Sequence, residues 1–225
     1  MTDSKKVLYI GGHGKIGLLT TPKLIEGGHE VHSLVRNPDY KAELEGLGAT
    51  PVIADITELS SEDWAKLADG FDVVVWGAGN GGRAGADQTF AIDQDGAIAA
   101  VEGLESLGEK APRFIMISYM GATQNEVEND GGSWYAYVES KKNADNRINA
   151  SSLDSIILGP GVLTDAAGEG IRVVEPGTGR DRDGETPRDL VANVIAEIIN
   201  EDQVPPHAPL EFFAGDKPLD SIWEA

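Results

Sequence analysis

The sequence predicts an α/β fold, a doubly wound parallel sheet with helices on both faces, spanning residues 1–225 as one domain. Residues 159–225 read as a small extension on the substrate side rather than a second domain. Three observations lead there. Short apolar runs alternate with helical patterns up to residue 158. An apolar run at 7–10 passes directly into spaced glycines and then a helix. The 225 residues suffice for one sizeable core and not for two large ones.

The elements follow in order. Residues 7–10 (VLYI) form a buried-type strand, and 15–27 the first helix, with Pro22 inside it as an expected kink. Gly27 and Gly28 stop that helix. Residues 30–35 alternate polar and apolar, giving the second strand. A short helix at 39–47, a strand at 50–54 and a helix at 61–68 come next. DVVVW at 72–76 is a fourth, buried strand, followed by one long helix at 87–107. RFIMI at 113–117 is the fifth strand, 134–150 a helix and 155–158 the sixth strand. Past Gly159 the rhythm breaks into Gly, Pro and charge, with an apolar piece at 171–174. A helix at 187–200 turns Leu190, Val191, Val194, Ile195 and Ile198 inward, and 210–213 is a last strand. Strands separated by helices must run parallel with right-handed crossovers.

Composition removes several classes of function. There is no cysteine, so disulfides, thiol catalysis and thiolate metal sites are excluded. His13, His29, His32 and His207 lack metal-ligand spacing, so no metal site is expected. No apolar run approaches the roughly 20 residues of a membrane span, and the first strand starts without an apolar leader, so the expected location is the cytoplasm. A formal charge of −20 repels phosphate backbones, so no nucleic acid partner is expected. The expected partner is a small molecule, with the chain a monomer or homodimer.

The glycine segment carries the strongest signal. Gly11 lets the strand end in a tight turn, Gly14 lets backbone approach a pyrophosphate, and Gly17 lets the helix pack closely on the strand. Lys15 and Ile16 open that helix, whose free N–H groups and dipole favour phosphate. This is the Rossmann-type dinucleotide site. An acidic residue at the end of the second strand would select NAD(H). Arg36 stands there instead, and a guanidinium suits a 2′-phosphate, so NADP(H) is favoured over NAD(H), with Lys15 as a second charge. Asp55, beside Ile56 after the third strand, reads either as an adenine acceptor or as a turn residue. Ala78 and Gly79 end the fourth strand and let chain pass close to the cofactor ribose.

Ser118 ends the fifth strand, and Tyr137 and Lys141 stand at i and i+4 on the following helix. A lysine charge there lowers the phenol pKa, so that Tyr137 exchanges a proton while the cofactor carries hydride. Ser118 orients the carbonyl oxygen.

The glycine loop, Ser118 and the Tyr137/Lys141 pair resemble the short-chain dehydrogenase/reductase superfamily. The resemblance is nearest to its atypical branch of small NAD(P)H-binding reductases and sensors, flavin-reductase-like and NmrA-like. Residues 115–122 (IMISYMGA) and 153–165 (LDSIILGPGVLTD) are similar to that branch's fifth- and sixth-strand segments. The resemblance implies that Lys141 also touches the nicotinamide ribose and that Pro160, Gly161 and Val162 lie beside the nicotinamide. One departure is Gly159, where the branch often carries an Arg.

The reading that follows is an NADPH-dependent oxidoreductase acting on a small carbonyl, quinone or flavin. A non-catalytic NADP(H) sensor is the alternative, although such relatives often lack the Tyr or Lys. A nucleotide-sugar epimerase or dehydratase ranks lower, since little chain remains for its substrate domain. Residues 164–185, with Asp165, Glu169, Arg172, Arg180 and Arg182, are expected to close over the substrate, and 124–132 to form a rim loop. With its −20 charge, the protein should give no mobility shift with duplex DNA at ~0.15 M salt. Micromolar binding that weakens steeply with salt would contradict this.

Overall fold

The computed structural model describes residues 3–81, 85–168, 170–177 and 184–224. Its strands are β1 (Lys6–Ile10), β2 (Glu30–Val35), β3 (Thr50–Ile53), β4 (Val73–Trp76), β5 (Arg113–Ile117), β6 (Ser155–Pro160), β7 (Val162–Thr164), β8 (Ile171–Val174), β9 (Glu185–Pro187) and β10 (Leu210–Ala214). Its α-helices are α1 (Lys15–Glu26), α2 (Lys41–Gly46), α3 (Ser61–Ala68), α4 (Ala86–Thr89), α5 (Ala97–Glu105), α6 (Ser133–Asn149) and α7 (Arg188–Glu201).

One sheet holds eight strands in the order β3-β2-β1-β4-β5-β6-β10-β8. From β3 to β10 neighbours run parallel, and β8 pairs antiparallel with β10 at the edge. The winding reverses between β1 and β4, so the loops leaving these two strands diverge and open a crevice at their carboxyl ends.

Strand periodicity divides the core in two. Val7, Tyr9, Val73, Val75, Ile115 and Ile117 point to the face covered by α1 and α7. Leu8, Ile10, Val74, Trp76, Phe114 and Met116 point to the face covered by α3, α5 and α6. Both faces of β1 and β4 are buried, which is why those strands read as unbroken apolar runs. Leu190, Val191, Val194, Ile195 and Ile198 of α7 all face the sheet, as their spacing predicts.

The secondary structure departs from the sequence reading in several places. The single helix expected at 87–107 is α4, a π-helical turn at Phe90–Gly96, and α5. The wider turn aims Asp93 inward, where it is fully buried and accepts the Asn80 N–H at 2.8 Å. β6 continues past residue 158 to Pro160 because β10 lies beside it, pairing Phe212 with Pro160. β7 and β9 form a small parallel ribbon that no periodicity announced. Within 164–185, expected to close over the substrate, β8 is zipped to β10 and Arg172 lies over the Phe213 ring. Glu169, Arg180 and Arg182 lie outside the described residues. α1 runs through Pro22 as one helix. Among the described residues, no helix is long and apolar enough to cross a membrane, and no His, Asp and Glu cluster could hold a metal.

Candidate functional site

The crevice begins where β1 ends. Gly11 has φ +81°, and a Cβ there would lie 2.8 Å from the Ala78 backbone, so conformation and space both require glycine. A Cβ at Gly14 would meet only the Gly11 carbonyl, at 3.1 Å. Gly17 differs from expectation. Its Cβ would collide with the Gly12 carbonyl at 2.7 Å, so it seats α1 on its own loop rather than on the strand. Gly14 caps α1 without a side-chain hydrogen bond, and the first turn carries no acidic residue. A helix start with no capping side chain and no acidic residue fits an anionic pyrophosphate.

A groove of about 450 Å³ brings together Gly11, Gly14, Arg36, Asp55, Ala78 and Gly79, with Ile56 at its edge. Arg36 is two-thirds exposed, its Nη1 3.9 Å from Asp55. Asp55 Oδ1 accepts from the Thr57 hydroxyl at 2.7 Å and the Thr57 N–H at 3.0 Å, as a turn residue does, while its side chain lines the groove. These bonds, aided by Arg36, hold its carboxyl below the usual range. Among the groove residues that the sequence reading assigned no role are His13 and Tyr40, whose rings stack at 3.5 Å, with His13 also bonded to Glu43 at 2.8 Å. Their contact spans separate elements and leaves no local pattern. Lys15, expected as a second phosphate-facing charge, is paired with Asp165 at 2.6 Å, and Asp165 also takes Arg188 at 2.6 Å. Ile16 packs into the core on the α1/α7 side.

A second cavity, about 770 Å³, gathers Ser118, Tyr137, Pro160, Gly161 and Val162, which the sequence had placed together. Gln124, Asn125 and Glu126 of the expected rim loop also line it. The Tyr137 ring stacks on two others, Tyr119 at 5.5 Å and 26° and Trp134 at 5.7 Å and 24°. Gly161 is fixed by N–H bonds to the Phe212 carbonyl and the Thr186 hydroxyl.

Lys141 is buried and lies between the two recesses. Its Nζ donates to the Ile117 carbonyl at 3.1 Å and meets Asp93 at 3.5 Å. It also lies 4.0 Å from where a Gly79 Cβ would be. The expected lowering of the Tyr137 pKa is therefore not found. Burial pushes this phenol up, and the charges of Asp93, Tyr119 and Asp145 push it further. Lys141 spends its charge on Asp93 instead.

Ser118 is buried and its hydroxyl donates to Asp145 at 2.6 Å. Asp145 follows Tyr137 and Lys141 at the next i+4 step, so the same helical spacing held the signal that sequence reasoning passed over. Its other oxygen, Oδ1, is buried without a hydrogen-bond partner among the described residues. Burial pushes its carboxyl up to about 6, against the lowering effects of Ser118 and Lys141.

The NAD(P)H-binding family profile matches residues 11–202. A Bacillus subtilis protein named as the uncharacterized sugar epimerase YhfK is 34% identical over 215 residues, covering 95% of this chain and 96% of that protein. Among solved structures, a Bacillus halodurans protein assigned as an NAD-dependent epimerase/dehydratase superposes with TM-score 0.83 at 31% identity, over 98% of this chain and 99% of that one. A wide-type short-chain dehydrogenase/reductase from Veillonella parvula, in complex with NADP, superposes with TM-score 0.67 at 17% identity, over 96% and 99%, and shares the fold.

Asp145 gives this site a stability signature. Its folded value of about 6 exceeds the ordinary 3.8, so the folded state holds the proton more tightly. Stability is then lost as pH rises from the ordinary value through the folded one. Asp145→Asn removes that loss. Its stability relative to wild type should rise by roughly 1–2 kcal/mol between about pH 5 and about pH 7.5, measured by urea unfolding. A difference independent of pH would contradict the shift.

Proposed function

The chain belongs to the NAD(P)H-binding family, and on that premise we propose that it is an NADPH-dependent reductase of the short-chain type acting on a planar, quinone-like or flavin-like acceptor. The observation that carries the reading is the cluster of stacked rings, Tyr119, Tyr137 and Trp134, lining a cavity that also holds Ser118. Flat conjugated molecules stack on such rings in offset fashion. A bound dihydronicotinamide would supply the hydride. The uncapped start of α1 would hold its pyrophosphate, Arg36 its 2′-phosphate and Lys141 its ribose. Tyr137, kept protonated by burial, would deliver the proton from Oη to the acceptor oxygen, which stays in the product as its hydroxyl. Ser118 completes the set of polar groups around that oxygen.

The names of the two nearest relatives described above favour a second reading, an epimerase. The cavity argues against it. Among the described residues lining it, Glu126 is the charged one, and no Lys or Arg stands ready for a nucleotide diphosphate. An epimerase would return its cofactor unchanged, whereas a reductase consumes NADPH.

Two experiments test this. Losing a charge-assisted bond is worth roughly 1.5–3 kcal/mol, so Arg36→Asp should weaken NADPH tens-fold or more and spare NADH in calorimetric titration. Equal affinity of the wild type for both cofactors would remove the basis for NADP(H). Steady-state NADPH oxidation against quinones, aldehydes and free flavins is the second. With a carbonyl acceptor, Tyr137→Phe should lower kcat about 10²–10⁴-fold and leave NADPH affinity nearly unchanged. A mild defect confined to flavins would indicate direct hydride transfer to the flavin ring. Tight NADPH binding without turnover of any acceptor would indicate a sensor.

A further inference from the structure

The reaction so described leaves the buried carboxyl of Asp145 without a task. Asp145 lies beneath the acceptor cavity and touches it through Ser118, whose side chain lines the wall. A serine hydroxyl has one hydrogen. At 2.6 Å from an ionised carboxylate that hydrogen is committed inward. Ser118 then shows the cavity only lone pairs, which repel a carbonyl oxygen. When Asp145 is protonated the bond reverses. The acid donates to Ser118 Oγ, and the serine hydrogen is free to point at the acceptor.

We propose that Asp145 is a proton-controlled positioning residue that decides whether Ser118 offers a hydrogen or a lone pair to the acceptor's oxygen. This rests on the reading of the cavity as the acceptor site. Protonated Asp145 gives the oxygen two donors, Ser118 and Tyr137, and suits carbonyl reduction. Ionised Asp145 makes Ser118 an acceptor for a hydroxyl and suits the reverse oxidation.

The surroundings leave Asp145 to govern this step. Lys141 on the same helix is its nearest cation, and Lys141 is shared with Asp93 of the π-helical turn. Of the other charged groups on elements packed against α6, Glu105 on α5 pairs with Arg147, and Glu102 accepts the Ser61 hydroxyl. Asp95 accepts from Gln94, Asp87 on α4 is exposed, and Arg113 on β5 pairs with Asp154. The buried, unpartnered Oδ1 favours the neutral acid and places the transition within reach of ordinary buffers. The raised carboxyl, about 6, agrees with that position.

The test has two arms. In the first, kcat/KM for quinone reduction by NADPH is followed from about pH 5 to about pH 8.5. Wild type should lose activity as pH rises past about 6, by about a hundredfold in total, the effect of one lost donor. Asp145→Asn has no proton to lose and should give a flat profile over that limb. A limb that persists unchanged in Asp145→Asn overturns the proposal. In the second arm, the carboxylic acid band of Asp145 is titrated by infrared difference spectroscopy on protein without cofactor, with Asp145→Asn identifying the band. Ser118→Ala removes the bond that stabilises the carboxylate, so the band should titrate at higher pH than in wild type. Titration at the wild-type position in Ser118→Ala overturns the pair. If no acceptor is turned over at any pH while the band still shifts in Ser118→Ala, the reductase reading fails and the Asp145–Ser118 switch stands.

Discussion

The buried ion pair between Asp93 and Lys141 ties the site together. Asp93 is fully buried and Lys141 nearly so, and each would be severely destabilising alone in the interior. The pair joins four parts of the chain. Asp93 comes from the π-helical turn and accepts the Asn80 N–H after β4. Lys141 comes from α6 and donates to Ile117 at the end of β5. A Cβ at Gly79 would sit 2.9 Å from Asp93, so the glycine there makes room for the pair from above. Moving any one of these parts strands a charge. Burial keeps Tyr137 protonated, and the Asp93 charge of this pair adds to that.

Much of this architecture is visible in the sequence because it depends on local rules. Central strands buried on both faces give unbroken runs such as 7–10 and 72–76, and a helix between each pair dictates parallel strands. Gly11 and Gly14 could be assigned roles because a strand–turn–helix junction has few solutions. What stayed hidden depends on partners far apart in sequence. Nothing local says that Asp93 faces inward, because a π-helical turn shifts the periodicity by one residue, and its partner is 48 positions away. Lys15 looked free for phosphate because Asp165, which takes its charge, lies on a distant loop. Asp145 is the exception: its signal was in plain view, one further helical step along the face of Tyr137 and Lys141.

The acidic surface gives the groove its electrostatic problem. With 38 acidic against 18 basic residues, most cations are drawn into pairs, as Lys15, Arg113, Arg147 and Arg188 are. Arg36 is held only loosely, by Asp55 at 3.9 Å, while standing in the groove. A guanidinium at that separation keeps most of its hydrogen-bonding capacity for a planar anionic group. Selectivity for a cofactor here depends on which cations remain available, more than on how many the chain contains.

The placement of α7 has a consequence for how the chain is made. Leu190, Val191, Val194, Ile195 and Ile198 cover the face formed by Val7, Tyr9, Val73, Val75 and Ile115. A ribosome delivers β1, β4 and β5 long before it delivers α7. During that interval one apolar face of the growing sheet has α1 as its helical cover and lacks the second. The glycine loop is among the first segments synthesised, yet it hangs from β1, whose packing is completed only when residues 188–201 arrive. The crevice at the head of the chain therefore rests on a packing layer supplied by one of its last elements, so its order depends on contacts of long sequence separation.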